Sequence, residues 1–228
     1  LPIGFRILPS PPPIDPEVLA RYAKLPTGNV ADSMGRFRAM SGRIKSFVSG
    51  RVMCGAAVTV MTRAGDNLMV HKALEVARPG EVVVVDTTGG YRAAVVGELM
   101  THTAIAAGLA GFVIDGAIRD VSELRGLGFP VYAAAVAATA CDKDGPGEIN
   151  VPIACGGVVV APGDLVLGDD DGVVIVPREM IEPVLVASEA KHRAEAERIE
   201  EIRRGQLFMP EIDATLRQKG VDPSGTRQ

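Results

Sequence analysis

The chain has 228 residues, enough for one large domain or one and a half, with a sizeable core. It is 47% hydrophobic and 23% charged, and its 24 basic and 28 acidic residues leave a net charge of −4. That balance offers no field to attract nucleic acid or an anionic membrane surface, so neither is expected as a partner. Only 4% of residues are aromatic and Trp is absent, so Val, Ala, Ile and Leu must build the interior. Cys54, Cys141 and Cys155 are odd in number and form no CxxC, which reads as reduced thiols. No uninterrupted apolar run reaches the roughly 18 residues of a membrane span, and no signal-like start is visible. A soluble, cytoplasmic protein is the expectation.

"LPSPPPIDP" (8–16) is too proline-rich for helix or central strand, and residues 1–14 read as an extended arm. Two short helices follow, Asp15–Lys24 and Asn29–Arg36, split by "LPTG". "GRVMCGAAVTVMT" (50–62) is strand-like. "GDNLMVHKALEVARPG" (65–80) is a helix that Asp66 can cap and Pro79-Gly80 stops. "EVVVVD" (81–86) is a strand buried on both faces. A glycine loop (87–97) leads into a helix at 98–109, and "GFVID" (111–115) is the next buried strand. This spacing is a βαβ unit and predicts parallel pairing. A short helix near 120–127 and the strand "FPVYAAA" complete that part.

Beyond residue 150 the texture becomes short β-runs with tight turns. "GGVVVAPGDLVLGDDDGVVIVP" (156–177) predicts antiparallel strands in a meander or small barrel. Residues 178–204 form a long charged helix whose sparse apolar side suits a surface or a neighbouring subunit. Residues 15–205 are read as a single domain and 206–228 as a tail able to wrap a subunit.

Four groups of residues could carry chemistry. The first is the frame "GELMTHTAIAAGLAGFVIDGAIRDVSELRG" (97–126). Gly97-Glu98 opens a helix whose first free amides, on Leu99 and Met100, favour an anion. Arg119 and Asp120 follow the next strand and face the same strand-end crevice; guanidinium matches a carboxylate, and a carboxylate suits Mg²⁺. The competing reading is a helix-end charge at Glu98 with a surface Arg119–Glu123 pair. The second group, "GDDDG" (168–172), is explained by a polar turn between Val-rich strands. The third is the histidines: His71 can line a pocket, while His102 and His192 join no zinc pattern. The fourth, "DTTGGYR" (86–92), lacks both nucleotide glycine motifs, and so gives no support to a methyltransferase; it leaves room for a small ligand near Tyr91 or Arg92.

"GDNLMVHKALEVARPGEVVVVD", the 97–120 frame, "LGFPVYAA", "INVPIACGGVVVAPGDLVLGDDDGVVIVP" and the charged helix with "EIRRGQ" resemble the class II 4-hydroxy-4-methyl-2-oxoglutarate / 4-carboxy-4-hydroxy-2-oxoadipate aldolases, whose superfamily also holds the RraA-like regulators of ribonuclease E activity. The likeness runs in order from about residue 15 to 220. The shared signature is an acid or glycine, twenty residues, Arg-Asp, two residues and an acid; here these are Glu98, Arg119, Asp120 and Glu123.

The resemblance implies an α/β fold, an α-β-β-α sandwich like the swivelling phosphohistidine domain, assembled as a homotrimer or homohexamer. It implies Asp120 as the direct ligand of Mg²⁺ or Mn²⁺ with Glu98 acting through water, and Arg119 on a keto acid. It places Gly97 and the Leu99 and Met100 amides at the substrate carboxylate, with His71 and Asp32 as further pocket positions. Glu195 matches an acid offered across a subunit interface. The implied reaction is retro-aldol cleavage of a 4-hydroxy-2-oxo dicarboxylate to pyruvate and a 2-oxo acid, with oxaloacetate decarboxylation through the same enolate. Aldolases usually carry Asp where this chain has Glu98, and the regulators carry Gly; Glu keeps the charge on a side chain one methylene longer. A protein-binding regulator of RNA degradation without catalysis is the rival, and a structural oligomer with a vestigial site the third possibility.

Overall fold

A computed structural model describes residues 3–224. In chain order its elements are α1 (Pro16–Tyr22), α2 (Thr27–Ser33), β1 (Lys45–Ser46), β2 (Met53–Thr62), α3 (Leu68–Val76), β3 (Val82–Asp86), β4 (Ala94–Val96), α4 (Glu98–Ala106) and β5 (Gly111–Ile118). They continue as α5 (Val121–Leu127), β6 (Val131–Val136), β7 (Gly147–Ile149), β8 (Ile153–Cys155), β9 (Val158–Val160), β10 (Leu165–Asp169), β11 (Gly172–Val176), α6 (Ile181–Arg203) and α7 (Pro210–Gln218). The chain divides into two compact units, with the boundary inside α6 between Glu189 and Ala190. Residues 1–2 of the expected arm and 225–228 of the expected tail lie outside the described residues.

In the first unit β2, β3, β5 and β6 run parallel, as the βαβ spacing requires. The strand "VVVVD" is apolar at every step because both of its faces are covered. Val83 and Val85 join a core with Met69, Leu74, Ala104 and Leu124 of α3, α4 and α5. Val82 and Val84 face the other way, onto Ile153, Cys155, Val166 and Ile175 of the later strands. The main sheet continues from β2 into antiparallel β10 and β11, whose side chains alternate. Val166, Val173 and Ile175 point to that inner core, while Leu165, Leu167, Val174 and Val176 pack on α1, α2 and the start of α6. Helices, parallel strands, antiparallel strands and helices therefore stack as the expected α-β-β-α sandwich.

Several boundaries differ from the sequence reading. The helix expected over 65–80 spans only Leu68–Val76, since Ala77 is already extended ahead of Pro79. The glycine loop contains a short strand, β4, paired to the end of β5. The strand expected to stop at Asp115 continues to Ile118. Gly116 permits this: a Cβ there would stand 2.4 Å from Thr87 Cγ2, so only glycine lets β5 pass. Asp115 looks like a strand-ending charge, but Arg43 and Tyr91 pair with it inside the fold. Strand β7 was also unread; the extended arm reaches it through Leu8 N–H to Ile149 O (3.1 Å) and Arg6 to Glu148.

The second unit holds the rest of α6 and α7. None of residues 190–224 is buried, and Phe208 and Ile212 are exposed. Among the described residues no helix is long and apolar enough to cross a membrane.

Leu185 is fully buried between α6 and the β10–β11 layer. Leu185→Ala should cost about 2–5 kcal/mol, read as a lower urea midpoint at unchanged slope. An unchanged midpoint would show that α6 does not hold this layer.

Candidate active site

The C-terminal ends of β4 and β5 open into a cleft of about 220 Å³. Its lining brings together His71, Gly97, Glu98, Leu99, Met100, Arg119 and Asp120. They come from three elements that the sequence sets far apart, and one backbone bond, Arg119 N–H to Val96 O at 3.1 Å, locks two of them in register.

Asp120 is the hinge of the arrangement. It stands at the N-cap of α5 in the left-handed region (φ 55°, ψ 42°), yet its side chain does not cap that helix. Oδ2 instead accepts the Glu98 N–H at 2.9 Å and lies 3.5 Å from Arg119 Nε. Gly97 makes room for it: a Cβ there would lie 2.5 Å from the same oxygen. Asp tolerates the left-handed backbone better than most residues, at a cost of about 1–3 kcal/mol. An aspartate held in a strained conformation and turned away from its own helix does not serve as a cap, which makes it a candidate site residue. Among the described residues no Arg119–Glu123 pair forms, so the surface-pair reading of Arg119 does not hold.

The Glu98 amide is occupied by Asp120, whereas the Leu99 and Met100 amides are first-turn donors without an intrahelical acceptor. The Glu98 carboxylate is partly exposed, with His102 Nε2 at 3.8 Å from Oε1. His71 is held below its ordinary pKa, first by burial and then by the charge of Lys143, which favours the neutral imidazole.

Asn67, Cys141 and Lys143 also line the cleft and are not among the site residues read from the sequence. Lys143 sits in the irregular "CDKDG" connection after β6, and its one legible signal is that loops at this end of a parallel sheet carry function. The Cys141 thiol is pushed up by burial and by Asp66 and Asp142, so it stays protonated. All three cysteines are free.

Other expected positions lie elsewhere. Asp32, on α2, pairs with Arg36 Nε at 3.0 Å and is not part of the cleft lining. Glu195 is on α6 in the second unit, where Lys191 Nζ stands 3.3 Å from it. Tyr91 and Arg92, expected beside a ligand, do not line the cleft; Tyr91 O–H donates to Asp115 Oδ1 at 2.9 Å instead. The "GDDDG" aspartates make a turn, as expected: Asp169 accepts from Thr27 N–H and O–H, and Asp170 from Gly50 N–H.

Among the described residues no group of three His, Cys, Asp or Glu side chains converges as a metal cage. The donor set fits a different kind of ion. Mg²⁺ keeps several waters and commonly takes only one or two carboxylates. A carboxylate fixed through one oxygen, beside a second acid and in a cleft with room for water, meets that requirement.

The RraA-like family model, Aldolase/RraA, matches residues 27–175. A Halalkalibacterium halodurans protein, provisionally named a 4-hydroxy-4-methyl-2-oxoglutarate aldolase, is 37% identical over 194 residues, covering 82% of this chain and 92% of that one. The fold is similar to an uncharacterized protein from Pseudomonas syringae pv. tomato (TM-score 0.78, 28% identity, 85% of this chain and 92% of the other). It is also similar to the RNA-processing inhibitor RraA from Thermus thermophilus (TM-score 0.63, 34% identity, 68% and 93%). With the family model matched over more than half its length, the chain belongs to the Aldolase/RraA family.

Proposed function

We propose that this protein is a divalent-metal-dependent lyase that cleaves a 4-hydroxy-2-oxo dicarboxylate to pyruvate and a 2-oxo acid, and that decarboxylates oxaloacetate at the same site. The observation that carries the reading is the close packing of Asp120 and Arg119 over Gly97 at the start of α4. The aldolase name of the Halalkalibacterium relative supports it.

The reaction needs a proton acceptor for the 4-hydroxyl and a sink for the charge that builds at the 2-keto oxygen. Mg²⁺ or Mn²⁺, held by Asp120 directly and by Glu98 through water, would supply Lewis-acid polarisation of the keto acid. Arg119 offers a planar guanidinium to the keto acid, and holds the enolate more tightly as charge develops. The free Leu99 and Met100 amides take the carboxylate at the helix N-terminus. Lys143 brings a second cation into the cleft, which suits a dicarboxylate better than a monoacid. Glu98 is the acid within reach of the cleft that takes the 4-hydroxyl proton, directly or through one water. Glu195, offered by a neighbouring copy in a trimer or hexamer, assists that proton transfer.

A protein-binding regulator is the second reading, favoured by the likeness to an RNA-processing inhibitor. It has no use for an acid at position 98 or for an anchored Asp120, so turnover separates the two readings.

Four outcomes are expected. EDTA abolishes pyruvate release from oxaloacetate and from hydroxy-oxo diacids, and added Mg²⁺ or Mn²⁺ restores it; full activity after exhaustive chelation removes the metal from the mechanism. In light scattering the active protein is a trimer or larger, whereas an active monomer rules out a shared Glu195. Arg119→Lys lowers kcat/KM for oxaloacetate about hundredfold or more, roughly 2.7 kcal/mol of transition-state stabilisation, because Lys keeps the charge but loses the fork. Asp120→Asn removes nearly all turnover with the oligomer intact. Parent-like rates in both variants would move the regulator reading ahead.

A further inference from the structure

Asp66 reads in the sequence as an ordinary helix cap, and one of its oxygens does that work: Oδ1 accepts the Leu68 N–H at 2.9 Å. A cap at a helix end is usually left in solvent. This one is fully buried, and its second oxygen serves another segment altogether. Oδ2 accepts the N–H groups of Asp144 and Gly145, both at 2.8 Å, with Arg63 Nη2 at 3.4 Å. The two segments joined in this way are the start of α3, which carries His71 into the cleft, and the β6–β7 loop, which carries Lys143 there.

The backbone doubles the joint. Asn67 N–H donates to Asp142 O at 3.0 Å, and Asp142 N–H to Gly65 O at 2.8 Å. At its other end the loop is fastened to β4, where Ala94 N–H donates to Thr139 O at 2.8 Å. Burial alone would push the Asp66 carboxyl up, but the three N–H donors and Arg63 hold it below the usual carboxylate range, so it is ionised in the folded protein. Charge-assisted bonds of this kind are short, strong and directional.

We propose that Asp66 is a positioning residue that fixes the Lys143 loop to the start of α3 and so sets where Lys143 stands in the cleft beside His71. It touches no substrate and acts through the two segments it joins. The inference rests on the reading of the cleft as a lyase site and adds a determinant of dicarboxylate binding to it. An Asn at position 66 has a single oxygen, so either the helix start or the loop loses its acceptor and meets an NH₂ group instead.

The test uses the full chain with Mg²⁺ and oxaloacetate. Asp66→Asn should raise KM about 30-fold with kcat changed less than about threefold, since a displaced Lys143 loses binding that the ground state and the transition state share. In a Lys143→Met background the same substitution should raise KM by less than about threefold, because coupled residues are not additive. A variant that merely loses folded protein shows a lower apparent kcat at unchanged KM, and that result, or a full KM effect in the Lys143→Met background, overturns the proposal. Should Asp66→Asn fail to fold, Arg63→Met removes the outer guanidinium from Asp66 and from the Gly145 carbonyl; it should raise KM about fivefold, and an unchanged KM overturns the proposal. Amide hydrogen exchange gives a readout independent of turnover. If the parent releases no pyruvate, the lyase reading fails by itself, and exchange still decides the positioning. Faster exchange across 139–146 in the variant supports it, and unchanged protection refutes it.

Discussion

The carboxylate of Asp120 reaches the Glu98 amide only because three backbone conditions hold together. The Val96 carbonyl and the Arg119 amide bring the ends of β4 and β5 into contact. Position 97 carries no Cβ, and residue 120 accepts a left-handed backbone. Loss of any one separates the acid from the helix start, and with it the guanidinium next door. The strain is sustained by β5, whose eight residues are all buried and whose neighbours on either side are parallel strands. A rigid apolar sheet thus keeps a locally unfavourable turn in place, and the polar groups collect at its rim.

The sheet was legible because its chemistry is redundant. Four valines in a row, or "GFVI" after an Ala-rich helix, specify a doubly covered strand whatever surrounds them. The Arg119–Asp120–Glu98 frame was legible as a group through its spacing and the family signature, while the spacing alone left a helix-end charge and a surface pair open beside it. What stayed hidden depends on tertiary contact. Strand β4 has three residues and exists only by pairing with β5. Lys143 has no neighbours in sequence that announce a site; the fold brings it there through a loop. Tyr91 misled for the opposite reason: it follows a glycine loop at the right strand end, but its hydroxyl turns to a carboxylate on the other face of the sheet.

Charge within the cleft is close to balanced: Glu98 and Asp120 against Arg119 and Lys143, with His71 kept neutral by burial and by Lys143. A divalent cation would shift that balance toward positive, and a dicarboxylate would shift it back. The arrangement therefore suits a metal and a dianion taken together better than either one alone. Neutral His71 can donate or accept a hydrogen bond without adding to the field.

The same end of the sheet carries a second set of acids, and comparison with them shows why Asp120 is the one to single out. Asp86 and Asp115 stand side by side on β3 and β5, facing the antiparallel layer instead of the helices. Asp115 accepts from Arg43, Tyr91 and the Gly156 amide, so both of its oxygens are used in holding that layer to the sheet. Asp86 accepts the Thr88 amide at 2.7 Å, and burial pushes its carboxyl up from the ordinary range. Asp86 ends β3 and Asp115 looks in the sequence like the end of β5, so position in the sequence alone would rank all three as candidates. Satisfaction separates Asp115 from Asp120, and Asp86 differs in facing the antiparallel layer and not the cleft. Where protein donors fill a carboxylate, it is a joint between layers; where the backbone is strained to hold a carboxylate by one oxygen at the wall of a cleft, it is available to a ligand.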